Sequence, residues 1–230
     1  MQQWKNLKQL IMRNKKKVII LGAGGHARET LWIFREANEE KNEWEVIGFI
    51  DENKETHGKM ICDLPVLGGF EWFDKKKYND VYAITAIGSP KTKKKVIEKA
   101  VKRNLKFCSI IHPTTRMSEY VEIGNGTIIA AGNILTTQIK IGNHVILNSD
   151  CTVAHDTLIE DYCNINPGVH INGNVHIGKG VDFGTGAVAI QGINVGAWSI
   201  IGGGAVVVSD IPSNVTAVGV PAKVIKVHSD

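Results

Sequence analysis

Cysteine is scarce in this chain, and the little there is lacks pattern. The 230 residues hold four, Cys62, Cys108, Cys151 and Cys163, with no Cys-x-x-Cys spacing among them. That removes the usual thiolate frameworks of zinc sites and redox pairs. Free core thiols suit a reducing compartment, so the cytoplasm is expected. No run of 18 apolar residues occurs, so no helical membrane span is expected. The basic opening MQQWKNLKQLIMRNKKK has neither an apolar centre nor a cleavage site and does not read as a secretion signal. Residues 1–15 are read as a disordered lead-in. Nucleic-acid motifs are missing as well, and no nucleic-acid partner is expected.

The composition, 43% apolar and 22% charged, is that of a globular protein large enough for two modest domains. The net charge of +4 hides an asymmetry. Residues 1–110 carry 22 Lys and Arg against 14 Asp and Glu, whereas residues 111–230 carry 5 against 9. The excess sits in blocks such as Lys91 to Lys95, which read either as solvated helix faces or as attraction for an anionic ligand.

One period dominates the second half. From Ile123 to Val207 every sixth residue is aliphatic or its nearest stand-in, for fifteen units without an insertion. Small or branched residues such as Val145, Cys151, Val169 and Ala187 follow four places later. A helix repeats at three and four, and a half-buried strand at two. A period of six suits a chain that turns a corner every six residues and points one large and one small side chain inward from each flat. Three flats make a triangular coil of 18 residues, and five coils stacked at strand spacing rise about 24 Å.

The first half alternates strands and helices. Lys17 to Leu21 reads as a buried parallel strand followed at once by the glycine-rich loop GAGGHAR at 22–28. A helix is predicted from about His26 to Asn38, a second strand from Trp44 to Ile50 ending at Asp51, and a third from Val81 to Ile87. A helix over Lys91 to Asn104 and a short strand from Lys106 to Ile111 complete a small Rossmann-like sheet. Its glycines permit backbone N–H groups to approach a phosphate at a helix N-terminus. A dinucleotide such as NAD is one reading of this loop with Asp51. The half-sized sheet suits a mononucleotide or nucleotide sugar better.

Taken together, the GAGGHAR loop, the FID strand end at 49–51, AIGS at 86–89 and IHP at 111–113 ahead of six-residue repeats resemble the NeuD/PglD-like sugar acyltransferases. The match runs from about residue 16 to 227. The resemblance implies an α/β Rossmann-like domain over 16–110 that holds the nucleotide sugar. It also implies a left-handed parallel β-helix of hexapeptide repeats over 111–212, and a tail, 213–230, near the CoA site. It implies an acetyl-CoA-dependent N-acetyltransferase of a nucleotide-linked 4-amino-4,6-dideoxy sugar in surface-glycan synthesis, acting as a homotrimer. Carried over residue by residue, it points to Gly24, Gly25, His26, Asp51, Glu52, Ile87, Gly88 and Ser89 as sugar-nucleotide contacts, although Ser89 stands where relatives have Asn. Acetyl-CoA contacts would include Asn164, where a relative has His, as well as Gly203, Pro221 and Lys223. Lys223 reads equally as a solvated lysine.

Within the repeat, His155 and Asp156 fall where the family carries a His-acid pair. The resemblance makes His155 the general base and Asp156 the group that fixes its tautomer, with direct transfer and no acyl-enzyme. A histidine ordinarily titrates near working pH, which suits the role. Without the resemblance the pair reads as two neighbouring surface residues. The 18-residue coil places Gly173 next to His155, leaving room for a thioester and an N–H for its oxyanion. A zinc-binding relative of this fold would need histidines five apart. His144, His155, His170 and His176 are separated by 11, 15 and 6, so no metal is expected, and His170 and His176 are read as surface residues. Two alternatives stand beside the main reading: O-acetylation of sialic acid or another sugar, and a non-catalytic trimeric scaffold with a nucleotide-sensing domain.

Overall fold

The computed structural model describes residues 15–74 and 80–228, so the predicted lead-in lies, apart from Lys15, outside the described residues. The first domain is one twisted sheet. Its strands are β1 (Lys16–Leu21), β2 (Trp44–Ile50), β3 (Met60–Ile61), β4 (Leu64–Gly68), β5 (Val81–Thr85) and β6 (Lys106–Phe107), in the spatial order β3-β4-β2-β1-β5-β6. All pairings are parallel except β3 with β4. Helix α1 (Gly25–Lys41) follows β1, α2 is the short turn Glu71–Asp74, and α3 (Pro90–Val101) follows β5. Val18 to Leu21 are wholly buried, as a central strand covered on both faces requires. The β3–β4 hairpin and α2 lie between 52 and 80, where the sequence pattern suggested no element. The predicted third strand stops at Thr85, because the chain turns there into the loop that precedes α3.

The second domain is a left-handed parallel β-helix. Three sheets form its sides, built mostly of two- and three-residue strands that pair in register with those 18 residues on. The expected tail is not separate from them: Val215–Val218 pairs with Ile200–Ile201 and is followed by the antiparallel Lys223–Val227, so both extend the largest sheet. The interior column runs unbroken from Ile129 to Val215, including Leu147, Val153, Ile165, Ile177 and Phe183, all fully buried. The coil begins earlier than the aliphatic run suggested. Ile110–Ile111 pairs with Ile128–Ile129, and Arg116–Met117 with Ile134–Leu135. Ile111 and Met117 continue the spacing of six on two different sides, so only the third side keeps five strands, while the Met117 side has six and the Ile111 side eight. The predicted strand 106–111 is therefore two strands: β6 closes the first sheet, and Ile110–Ile111 opens the β-helix.

From Gly126 to Gly204 every sixth residue has a φ between +55° and +79°. These are the corners. A left-handed residue turns the chain between flats, which explains why Gly, Asn and Asp, the residues that tolerate it, recur there. His144, Tyr162 and Trp198 occupy three of these corners on one edge. His144 stacks on Tyr162 (5.7 Å, 3°) and meets Phe107 edge-on. Its burial, with the Lys93 charge nearby, pushes its pKa down to about 4. Unfolded, the same ring binds its proton near 6.5, so stability falls as pH drops from about 6.5 to about 4, by up to about 3 kcal/mol. Urea unfolding across that range should show this loss in the native sequence and not in His144→Phe.

The two domains share a core. One side of the β-helix points Ile110, Ile128 and Ile146 outward, each at most 4% exposed, against Ala27, Leu31, Phe34 and Ile84 of the first domain. Burying such a side chain contributes about 1.5–3 kcal/mol, so the face is a permanent one. A second tie lies at the end of α1, where Glu36 Oε2 sits 2.6 Å from the Nε2 of the buried His112.

Candidate active site

The cleft at the carboxyl ends of β1, β2 and β5 has a volume of about 400 Å³. The crossing point of an open parallel sheet is where such ligands bind. The sequence-predicted Gly24, Gly25, His26, Asp51, Glu52, Ile87 and Gly88 all line it. The first loop is held by Asp51, whose Oδ2 accepts the Ala23 N–H at 2.8 Å while Oδ1 accepts from Asn53 N. Gly22 has φ +110°, and a Cβ there would lie 2.9 Å from the Ala86 carbonyl. Only glycine lets the loop approach the end of β5 so closely. His26 Nδ1 lies 3.2 Å from Glu29, whereas its Nε2 is buried without a partner among the described residues. Burial lowers its pKa, leaving a neutral ring on the cleft wall. Glu52 pairs with Lys99 at 2.9 Å.

Ser89 departs from expectation. Its hydroxyl caps α3 by accepting from Thr92 N at 3.4 Å, and the residue adjoins the cleft next to Gly88 without itself being among those that line it. The cap is the ordinary use of a serine before a helix whose first residue is proline. Sequence reasoning missed Phe70, Thr92 and Val96, which do line it. Thr92 and Val96 sit at successive turns of α3, a spacing that the sequence does show; Phe70 had no signal.

The second cluster is on the β-helix. His155 Nδ1 lies 2.8 Å from Asp156 Oδ2, and the two side chains are 53% and 60% exposed. Asp156 is a corner residue with φ +59°, and that conformation folds its carboxylate back beside its neighbour. A carboxylate accepts only, so Nδ1 carries the hydrogen and Nε2 keeps its lone pair. Gly173 stacks against His155 as the 18-residue period requires, but the glycine is buried and the ring itself takes up the space expected there for a thioester. A Cβ at 173 would lie 2.5 Å from Cε1 and 2.6 Å from Nε2 of the ring.

Of the expected acetyl-CoA contacts, Gly203, Pro221 and Lys223 are exposed. Asn164 is not: it is 1% exposed and used inside the chain. Its Oδ1 accepts from Lys93 Nζ at 2.5 Å, and its Nδ2 donates to the Gly88 carbonyl. The expected contact to acetyl-CoA is therefore replaced by an internal one, because α3 covers this side of the coil. His170 and His176 point outward and pair with Thr152 and Glu160. Among the described residues no group of three His, Cys, Asp or Glu is placed to hold a metal ion, and no helix is long and apolar enough to cross a membrane.

Residues 17–100 match the family model described as the PglD N-terminal domain. Over 213 residues the chain is 33% identical to a GDP-perosamine N-acetyltransferase of Escherichia coli, covering 90% of this chain and 95% of that one. The chain belongs to the NeuD/PglD-like family of sugar acetyltransferases. A variant of perosamine N-acetyltransferase from Caulobacter crescentus, solved with CoA and GDP-perosamine, superposes with a TM-score of 0.83 at 29% identity, covering 93% of this chain and 97% of that one. The acetyltransferase domain of PglB from Neisseria gonorrhoeae, solved with acetyl coenzyme A, gives 0.83 at 28% identity, covering 92% and 100%.

Proposed function

We propose that this protein transfers the acetyl group of acetyl-CoA to the amine of a nucleotide-linked 4-amino-4,6-dideoxy sugar, in the cytoplasm, as a step of surface-glycan synthesis. The observation that carries the reading is the pairing of a nucleotide-sized cleft at the end of a parallel sheet with a His155–Asp156 pair over a glycine. The likeness to an enzyme solved with CoA and GDP-perosamine supports the substrate class.

In this reaction the sugar amine attacks the thioester carbonyl as His155 Nε2 takes its proton. The Asp156 carboxylate stabilises the imidazolium that results. The donor proposed for the oxyanion of the tetrahedral intermediate is the N–H of Gly173, which is buried beneath the ring and has no partner recorded among the described residues. Collapse expels the CoA thiolate, which takes the proton back from the imidazolium. Lys223 and Gly203, both exposed, are available to the CoA arm. Thiol release from acetyl-CoA with a panel of GDP-, UDP- and dTDP-linked 4-amino sugars tests the assignment. Release with free sialic acid alone would move it to O-acetylation. Absence of both turnover and CoA binding would leave only the scaffold reading.

The active unit is proposed to be a closed homotrimer. One side of the β-helix is free of the first domain and exposes Ile134 (45%), Ile190 (37%) and Val208 (44%), and Leu158 lies beyond the His155 corner. A second copy on this face would cover His155 and exclude water from it. Ile134→Glu should lower the particle mass in light scattering from three chains to one, and activity should fall with it. A monomeric parent protein with full activity would sink the trimer.

A further inference from the structure

The strongest unexplained group in the molecule is Lys93. It lies on α3, is 0% exposed, and no acid forms an ion pair with it among the described residues. Fully buried lysines are rare and costly unless something holds them. Here Nζ donates to the Cys163 carbonyl at 3.1 Å and to Asn164 Oδ1 at 2.5 Å. Asn164 then donates through Nδ2 to the carbonyl of Gly88. The amide orientation is forced: turned over, its NH2 would face an amine and its oxygen a carbonyl. Burial lowers the Lys93 pKa to about 7, and either form of the amine retains protons to donate.

The chain of contacts has a definite start and finish. It starts on the β-helix, at Cys163 and Asn164, and finishes on Gly88, which lines the nucleotide-sized cleft. A trans peptide points its N–H opposite to its C=O. Pinning the Gly88 carbonyl to Asn164 therefore aims the Ser89 N–H away from the β-helix, and no hydrogen bond from that N–H is recorded among the described residues. Ser89 also begins α3, whose N-terminal end favours negative charge.

We infer that Lys93 and Asn164 are positioning residues for the sugar-nucleotide substrate. They lock the Gly88–Ser89 peptide against the β-helix, so that the cleft stands at a fixed place relative to the body carrying His155 and presents the Ser89 N–H to an acceptor oxygen of the ligand, such as a diphosphate oxygen. Ser89 thus serves the ligand through its backbone while its side chain caps the helix. The inference rests on the nucleotide-sugar reading above and assigns this chain's own residues to it.

Asn164→Asp is the informative variant. It keeps size and the Lys93 partner but sets a carboxylate oxygen against the Gly88 carbonyl. Faster hydrogen exchange across residues 86–92 is expected in the ligand-free protein, with the melting profile retained. GDP affinity by calorimetry should fall at least fivefold. KM for GDP-perosamine should rise about tenfold, and KM for acetyl-CoA should stay within twofold. Lys93→Met, which leaves Asn164 free to turn over, should move the same quantities in the same direction and serves if Asn164→Asp does not fold. Unchanged exchange across 86–92 overturns the inference, as does an unchanged GDP affinity in a protein whose parent binds GDP. If the parent binds neither GDP nor UDP, the nucleotide-sugar reading fails instead, and the exchange comparison still decides whether the lock exists.

Discussion

His155→Ala is expected to lower kcat by about a thousandfold while leaving both substrates bound, since a positioned general base contributes roughly 10²–10⁴. The geometry makes the imidazole hard to replace. Nδ1 is committed to Asp156 at 2.8 Å, so Nε2 is the atom able to accept a proton, and it lies on the edge nearest Gly173. The side chain is half exposed and supports no core contact, so its loss should cost little stability. Surface substitutions of this kind usually stay within about 0.5 kcal/mol. Steady-state thiol release and calorimetry with CoA are the measurements. Unchanged turnover would remove the base from the mechanism, and lost CoA binding would make His155 a binding residue.

Gly173→Ala is expected to be the more instructive change, lowering kcat about a hundredfold through a single methyl group. The new Cβ would fall 2.5–2.6 Å from Cε1 and Nε2 of His155, a distance that no packed carbon tolerates. The backbone at 173 is tied into the coil, as its carbonyl accepts from Gly192 N at 3.0 Å. The exposed ring must therefore yield. Swinging it breaks the approach to Asp156 and moves Nε2 by about 1 Å or more, a displacement that commonly costs about a hundredfold in rate. Stability should change little, because Gly173 is not among the left-handed corners. A variant with full kcat and an intact His155–Asp156 contact in its structure would show that the glycine is only a spacer.

Much of this was legible in advance because the β-helix is nearly one-dimensional. A repeat of six copies one local geometry at every level, so the interior column and the stacking of Gly173 on His155 follow from counting. The corners were legible in part. Asp150, Asp156 and Asn174 are residues that tolerate a left-handed turn, but His144, Tyr162 and Trp198 occupy equivalent corners and hide the rule. The extra level at Ile111 and Met117 was missed because the run from 106 to 111 reads as one strand, although its two ends pair in different domains.

By itself the sequence determined the period, and with it the β-helix, the cleft loops after β1 and β2, and the place of the His155–Asp156 pair. These are local properties, written in spacing and in residues adjacent along the chain. Only the tertiary structure decided what α3 does when it lies across the coil. Lys93 and Asn164 are 71 residues apart, and nothing in either neighbourhood announces the other. Their meeting withdraws Asn164 from the CoA arm, buries a lysine and turns Gly88 toward the β-helix. The reason is physical: a buried amine must find acceptors wherever the fold places them, and that choice is made by packing between domains.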